Sequence, residues 1–276
     1  MQPLREDSAG SGPFDGAAMS LDWPHPGVAR ARFIRPAEMN TLSFEFLAEL
    51  GRVIDTAETG RARVLIFTGE GSAFCAGAHL KYFTDPESPL NTPIGIRDRY
   101  LVPITRLFDR LEAASFVTIA AINGHALGGG FELALSCDLR VIATSARVGL
   151  TEVRVGAFPA AGGVQKLHRL IGRGKALELI LLGRQIAAAE ADRLGLAYAV
   201  VEPDDLPAAT LALAQEVLRG GRFAVAQAKA NIYLSENVDL KSARDFGLES
   251  LTVLAGSTDW AEGMAAFVEK RKPRFE

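Results

Sequence analysis

Three short apolar runs constrain this chain most: residues 64–67 (VLIF), Val117–Ile122 (VTIAAI) and Leu139–Ala143 (LRVIA). Each is too short for a buried helix and is rich in β-branched residues, so each reads as a buried strand. Thr68-Gly69-Glu70-Gly71 closes the first, and Gly124 breaks the second. Helical segments follow. Strand, glycine turn, helix, strand recurs at least twice, and that alternation predicts an α/β fold.

The rest of the chain fits the same frame. Residues 28–34 alternate apolar and polar positions, as a half-buried strand does. Ser43 opens a helix with Phe46, Leu47, Leu50, Val53 and Ile54 on one face. Residues 84–95 hold Pro86, Pro89 and Pro93 and read as a loop. Residues 100–113 carry a helical stripe, with Pro103 near the start where proline is tolerated. Helices are expected at 162–171, 174–182 and 187–194, a strand at 197–201, and helices alone over 206–276. The last helix offers Asp259 as N-cap with Glu262 three residues on, a capping box. Trp260, Met264, Phe267 and Val268 form its apolar stripe. Three regions result: a flexible tail over 1–20, an α/β core over 21–205 and a helical C-terminal region over 206–276. Met19 is a candidate start within that tail.

Composition removes several function classes. With 276 residues, 30 Lys+Arg against 33 Asp+Glu and a net charge of −3, no basic excess draws nucleic acid. No apolar run reaches the roughly 18 residues that span a bilayer, so no membrane is expected. The N-terminus has no apolar signal region. Cys75 and Cys137 stand alone, which predicts a reducing, cytoplasmic setting. His25, His79, His125 and His168 are scattered, so no metal site is expected. GRGK at 172–175 and Gly128 to Gly130 fit neither a phosphate loop nor a dinucleotide fingerprint.

The chemistry concentrates in residues 121–152. Three consecutive glycines, Gly128 to Gly130, precede a helix. A backbone without Cβ lets a ligand come close, and the first N–H groups of a helix lack partners. Gly129 can therefore offer an N–H to a developing anion, and Ala78, in the second glycine-containing turn, is the natural second donor. Glu132 lies three residues after Gly129 and faces the same space. Glu152 follows a strand and a tight connection. Two carboxylates beside such a pair point to acid–base chemistry at a carbon next to a carbonyl. Spacing alone also allows a tight packing turn with Glu132 as a helix cap.

The pattern as a whole resembles the crotonase (enoyl-CoA hydratase/isomerase) superfamily. The resemblance runs over residues 28–275. It is carried by IRPAEMNTL (34–42), VLIFTGEGSAFCAGAHL (64–80), AAINGHALGGGFELALSCDLRVIA (120–143), VGLTEVRVGAFPAAGGVQKLHRLIG (148–172) and EGMAAFVEKRKPRF (262–275). It implies a crotonase-type ββα spiral core with a helical C-terminal trimerisation region, assembled as a homotrimer or homohexamer. It implies an acyl-CoA thioester substrate, with coenzyme A part of that substrate and no further cofactor. The thioester oxygen would sit between the N–H groups of Ala78 and Gly129. By the same likeness Glu132 would activate water and Glu152 would handle the α-carbon proton. Substrate-contact candidates are Arg35, Ala76, His79, Leu80, Gly128, Ala160, Phe267 and Lys270.

Three positions depart from the family pattern. His79 stands where Asp is common, and it either supports the Ala78 turn through a ring N–H or faces the substrate. Thr151 replaces a usual proline. Ala160 replaces a frequent glycine and would narrow the pocket. The reading is an enoyl-CoA hydratase-like lyase. Its alternatives are isomerase, decarboxylase, dehalogenase or thioester hydrolase chemistry on the same fold, or a non-catalytic acyl-CoA-binding paralogue, since a fold alone does not separate these.

Overall fold

A computed structural model describes residues 12–275. The chain opens with an antiparallel meander, β1 (Phe14–Asp15), β2 (Met19–His25) and β3 (Val28–Phe33). Next come α1 (Phe44–Thr59), β4 (Val64–Gly69) and β5 (Ala73–Cys75). A covering segment holds α2 (Lys81–Thr84), α3 (Pro93–Ile96), a π-helical stretch (Arg97–Leu101) and α4 (Val102–Ala113). The centre is β6 (Val117–Ile122), β7 (His125–Leu127), α5 (Gly129–Leu135), β8 (Leu139–Ala143) and β9 (Arg147–Gly149). Then follow α6 (Gly163–Ile171), α7 (Arg173–Leu181), β10 (Ile186–Ala187), α8 (Ala188–Arg193) and β11 (Ala199–Val201). Four helices close the chain: α9 (Leu206–Val217), α10 (Arg222–Ser235), α11 (Leu240–Leu254) and α12 (Thr258–Val268).

The strands form two sheets, ordered β1-β2-β3-β4-β6-β8-β11 and β10-β9-β7-β5. From β3 to β11 the large sheet is parallel. The middle strand of that parallel part, β6, is buried at all six positions, as a strand covered on both faces must be. The three apolar runs are β4, β6 and β8. After each, the chain crosses to the small sheet as β5, β7 or β9, and after β7 and β9 it returns through a helix (α5, α6). This is the ββα repeat of the spiral core. β7 and β9 escape the sequence reading because three residues are too few to show a period.

The predicted face of α1 is buried, and the Ser43 hydroxyl caps the helix by accepting the Phe46 N–H at 3.1 Å. The Phe33 ring meets Phe46 of α1 at 4.8 Å and Phe74 of β5 at 5.1 Å, so one aromatic cluster ties both sheets to that helix.

Two expectations need correction. The tail predicted over 1–20 does not extend to residue 20; residues 1–11 lie outside the described residues, but Phe14–Asp15 and Met19–Ser20 are sheet strands. The cause is long-range. Glu49 of α1, itself buried, accepts the N–H groups of Ala17, Ala18 and Met19 at 2.8, 2.9 and 2.7 Å. Met19 also pairs with Phe33, and its side chain is fully buried.

The second correction concerns α12. Its N-cap is Ser257, whose hydroxyl accepts the Trp260 N–H, not Asp259. Asp259 is buried and accepts the Phe223 N–H at 2.9 Å, and Glu262 pairs with Arg271 at 2.6 Å instead of closing a capping box. The stripe Trp260, Met264, Phe267 and Val268 is exposed in the isolated chain. No residue of α11 is buried. Among the described residues no helix is long and apolar enough to cross a membrane.

Candidate active site

Two turns meet at the ends of β5 and β7. In the first, the chain leaves β5 through Ala76, whose N–H donates to the Met39 carbonyl at 3.0 Å. Gly77 follows with φ +94. A Cβ there would stand 2.7 Å from the Leu127 carbonyl oxygen and 3.0 Å from the Gly129 nitrogen. Only glycine permits that approach of the two turns. The Leu42 N–H donates to the Gly77 carbonyl at 2.8 Å, and Leu42 and Ala78 form an isolated parallel bridge. Asn40 braces the turn from behind, donating to the carbonyls of Glu70 and Ala73 and accepting the Arg35 N–H.

The second turn is the glycine triplet. Gly128 has φ +51, and its N–H donates to the Gly149 carbonyl at 2.8 Å. Its carbonyl accepts from Phe131 and Glu132, which starts α5 at Gly129. A Cβ on Gly129 would stand 3.8 Å from Gly77 Cα and 3.9 Å from the Ala78 nitrogen. The Ala78 and Gly129 amides thus border one space. Among the described residues neither N–H donates to a protein acceptor. Free, adjacent backbone donors are what a carbonyl oxygen gaining negative charge needs.

The two carboxyl groups differ. Glu132 is only 4 % exposed, and its Oε1 accepts the N–H groups of Ala161 and Gly163, both at 2.8 Å. Burial raises its pKa above the ordinary carboxyl value, and these two bonds and the nearby Lys166 charge offset only part of that rise. Lys166 is anchored by Glu112 at 2.6 Å and by the Ser136 hydroxyl at 2.7 Å. Glu152, at the start of a short 3₁₀ turn, has both carboxyl oxygens buried without a partner. Burial, reinforced by the Glu132 charge, raises its pKa to about 7. Glu152 borders the triplet directly: a Cβ on Gly128 would lie 3.3 Å from its Oε1.

The remaining candidates fall into two groups. Around the Ala78 turn, His79 Nδ1 lies 2.8 Å from the Thr41 hydroxyl and 4.0 Å from Glu38, and its ring packs on Tyr82 at 4.6 Å. These contacts tie it to the turn. Arg35 is half-buried and paired with Glu38 at 2.7 Å and more loosely with Glu45 at 3.8 Å. Leu80 and Ala160 are exposed, and Thr151 precedes Glu152 without a side-chain cap bond. Phe267, 82 % exposed, and Lys270 stand on the last helix and its end. Among the described residues no hydrogen bond or ion pair joins either side chain to the two turns.

Sequence reasoning missed four contributors. The Ala161 and Gly163 amides hold Glu132, and the adjacent glycines Gly162 and Gly163 are their only signal. Lys166, one turn into α6, reads as an ordinary surface lysine. Tyr100 reads as part of a helical stripe. A separate apolar cavity of about 620 Å³ lies between α6 and α10 and includes neither Glu132 nor Glu152. Its buried charges satisfy one another, Lys229 with Asp138 at 2.9 Å and Lys166 with Glu112.

Comparison with known proteins places this arrangement. The family model for enoyl-CoA hydratase/isomerase matches residues 25–276. The chain belongs to the enoyl-CoA hydratase/isomerase family. Among this family's members, the putative enoyl-CoA hydratase/isomerase YngF of Bacillus subtilis is 40% identical over 248 residues, 88% of this chain and 92% of that protein. The mitochondrial enoyl-CoA hydratase domain-containing protein 2 of Bos taurus is 38% identical, covering 99% of this chain and 94% of that one. The crystal structure of enoyl-CoA hydratase from Bacillus anthracis superposes with a TM-score of 0.87 at 38% identity, covering 94% of this chain and 98% of that one. The crotonase fold expected from the sequence is therefore this chain's fold.

Proposed function

We propose that this chain catalyses the reversible addition of water to a trans-2-enoyl-CoA. The observation that carries the reading is the unequal environment of the two carboxyl groups beside two free N–H donors. Burial raises the Glu132 pKa too, but its two backbone donors and a nearby lysine offset part of that rise, so of the two groups Glu132 is the better able to carry a negative charge. Glu152, buried without a partner, is built to hold a proton. A general base and a general acid on one site need that separation.

The chemistry follows in order. The thioester oxygen accepts from Ala78 and Gly129. Glu132 takes a proton from water as the water oxygen bonds to the β-carbon, and the electron pair of the double bond moves to the thioester oxygen. The two amides stabilise this enolate; in known enzymes such a donor contributes about 3–4 kcal/mol. Glu152 then gives its proton to the α-carbon. Double-bond migration needs no activated water, so the buried, hydrogen-bonded Glu132 favours hydration.

The assembly belongs to the same proposal. The exposed apolar faces of α11 and α12 suit burial against other copies in a homotrimer or homohexamer. Phe267 and Lys270, unbonded to the two turns among the described residues, would then be free to meet a neighbour's acyl-CoA. The free, buried thiols of Cys75 and Cys137 suit a reducing compartment such as the cytoplasm.

The test is incubation of the purified protein with short, medium and aromatic trans-2-enoyl-CoA thioesters. Hydration removes the conjugated-thioester absorbance and adds the mass of one water to the product. Absorbance loss without that mass gain indicates isomerisation. Retained absorbance across the series, with CoA thioesters still bound, overturns catalysis of hydration.

A further inference from the structure

The oxyanion donor Ala78 is flanked by two backbone groups that share one side chain. The His79 N–H donates to the Tyr100 hydroxyl at 3.2 Å, and that hydroxyl donates to the Leu42 carbonyl at 2.6 Å. Leu42 is the bridge partner of Ala78, and its own N–H is held by the Gly77 carbonyl. One phenol therefore grips the strand-like segments on both sides of the donor.

Tyr100 is fixed for this task. It is 1 % exposed and sits in the π-helical stretch Arg97–Leu101. A π-helical stretch within a helix shifts the register and re-aims side chains. The Phe83 and Phe44 rings lie edge-on to it at 5.5 and 6.1 Å. Burial pushes the phenol above its ordinary pKa, so it stays a neutral hydroxyl that donates and accepts at once.

We propose that Tyr100 is a positioning residue that sets the Ala78 N–H of the oxyanion hole through the Leu42 carbonyl and the His79 amide. This rests on the oxyanion reading of Ala78. Without the hydroxyl, the Leu42 carbonyl and the His79 N–H have only each other or water, and the Ala78 amide between them shifts. The contact bears on transition-state charge more than on ground-state binding, so its loss should fall on kcat.

The test compares wild type, Tyr100→Phe and Phe83→Leu, the last as a packing control in the same aromatic cluster. Amide exchange of the 76–80 segment is read by mass spectrometry, and kcat and KM are read with a trans-2-enoyl-CoA. For Tyr100→Phe we expect exchange at 76–80 to rise about tenfold and kcat to fall about tenfold, with KM within about twofold. Phe83→Leu should leave both readouts within about twofold. Unchanged exchange in Tyr100→Phe overturns the proposal, as does a change in KM alone or an equal loss in Phe83→Leu. A wild type with no turnover of any thioester overturns the hydratase reading instead, and the exchange measurement still decides whether Tyr100 holds the loop.

Discussion

Glu132 Oε1 lies 2.8 Å from the Gly163 amide nitrogen, and a Cβ on Gly163 would come 2.9 Å from that same oxygen. The first turn of α6 thus approaches the carboxylate as closely as a backbone can. Glu152 receives no such donor. Substituting Gln for either residue keeps the shape and removes the proton transfer. Glu132→Gln and Glu152→Gln should each lower kcat/KM about a hundredfold or more. The double variant should fall little further, because residues that act as one unit are not additive.

The pH profile follows from the raised pKa of about 7 on Glu152. The pair works with one proton in either direction: on Glu152 before hydration, on Glu132 after it. The kcat/KM values for hydration and for dehydration should therefore share one profile and fall together above about pH 7, as the last proton leaves the pair. Steady-state rates in both directions across pH check this. Stability has a definite sign too. Between the ordinary carboxyl range and about pH 7, the folded chain keeps a proton that the unfolded chain has released. Glu152 therefore makes the fold less stable as pH rises through that window.

The three glycines should not respond alike. A Cβ on Gly130 would overlap the Cys75 carbonyl, which is backbone and cannot move aside. Gly130→Ala should cost about 3 kcal/mol or more of unfolding free energy. Gly128→Ala puts a methyl beside Glu152 at a positive φ and should cost both stability and turnover. A Cβ on Gly129 meets mainly the end of the Leu42 side chain, so Gly129→Ala should fold near wild type. Urea denaturation of the three variants ranks them.

Lys166 links α6 to Glu112 of α4 and Ser136 next to α5 while lending its charge to Glu132. Lys166→Met should cost about 2 kcal/mol by leaving Glu112 without its partner. It should also move the acid limb of kcat/KM to higher pH, since a lost cation favours protonated Glu132. Lys166→Arg should restore the limb. A Met variant that loses stability with an unmoved limb would assign Lys166 to packing alone.

Glu49 makes the same use of a buried carboxylate at the start of the chain, gathering three N–H groups of residues 17–19. Glu49→Leu strips those donors of their acceptor and should cost about 3 kcal/mol in a thermal or urea melt. Glu49→Gln keeps an acceptor oxygen and should cost less.

The sequence shows those features that rest on local pattern. The apolar runs of β4, β6 and β8, the face of α1 and the two glycine turns are all visible along the chain, and so are Glu132 and Glu152. What is hidden rests on contacts between distant residues. Strand β2 depends on Glu49, thirty residues away. The hold on Glu132 comes from backbone amides, which carry no residue signature. Asp259 reads as a cap by local rule, but Phe223 claims its carboxylate. Tyr100 looks like one more member of a helical stripe until the π-helical register turns its hydroxyl toward Leu42.

The central claim is that the two carboxyl groups divide one proton unequally. Infrared difference spectroscopy of the protonated carboxyl band, recorded below pH 7 on wild type, Glu132→Gln and Glu152→Gln, tests it most directly. The account predicts a band that vanishes in Glu152→Gln, persists in Glu132→Gln and titrates at lower pH there, where the neighbouring charge is gone. A band that vanishes in Glu132→Gln and persists in Glu152→Gln would contradict it, and would exchange the acid and base between the two residues.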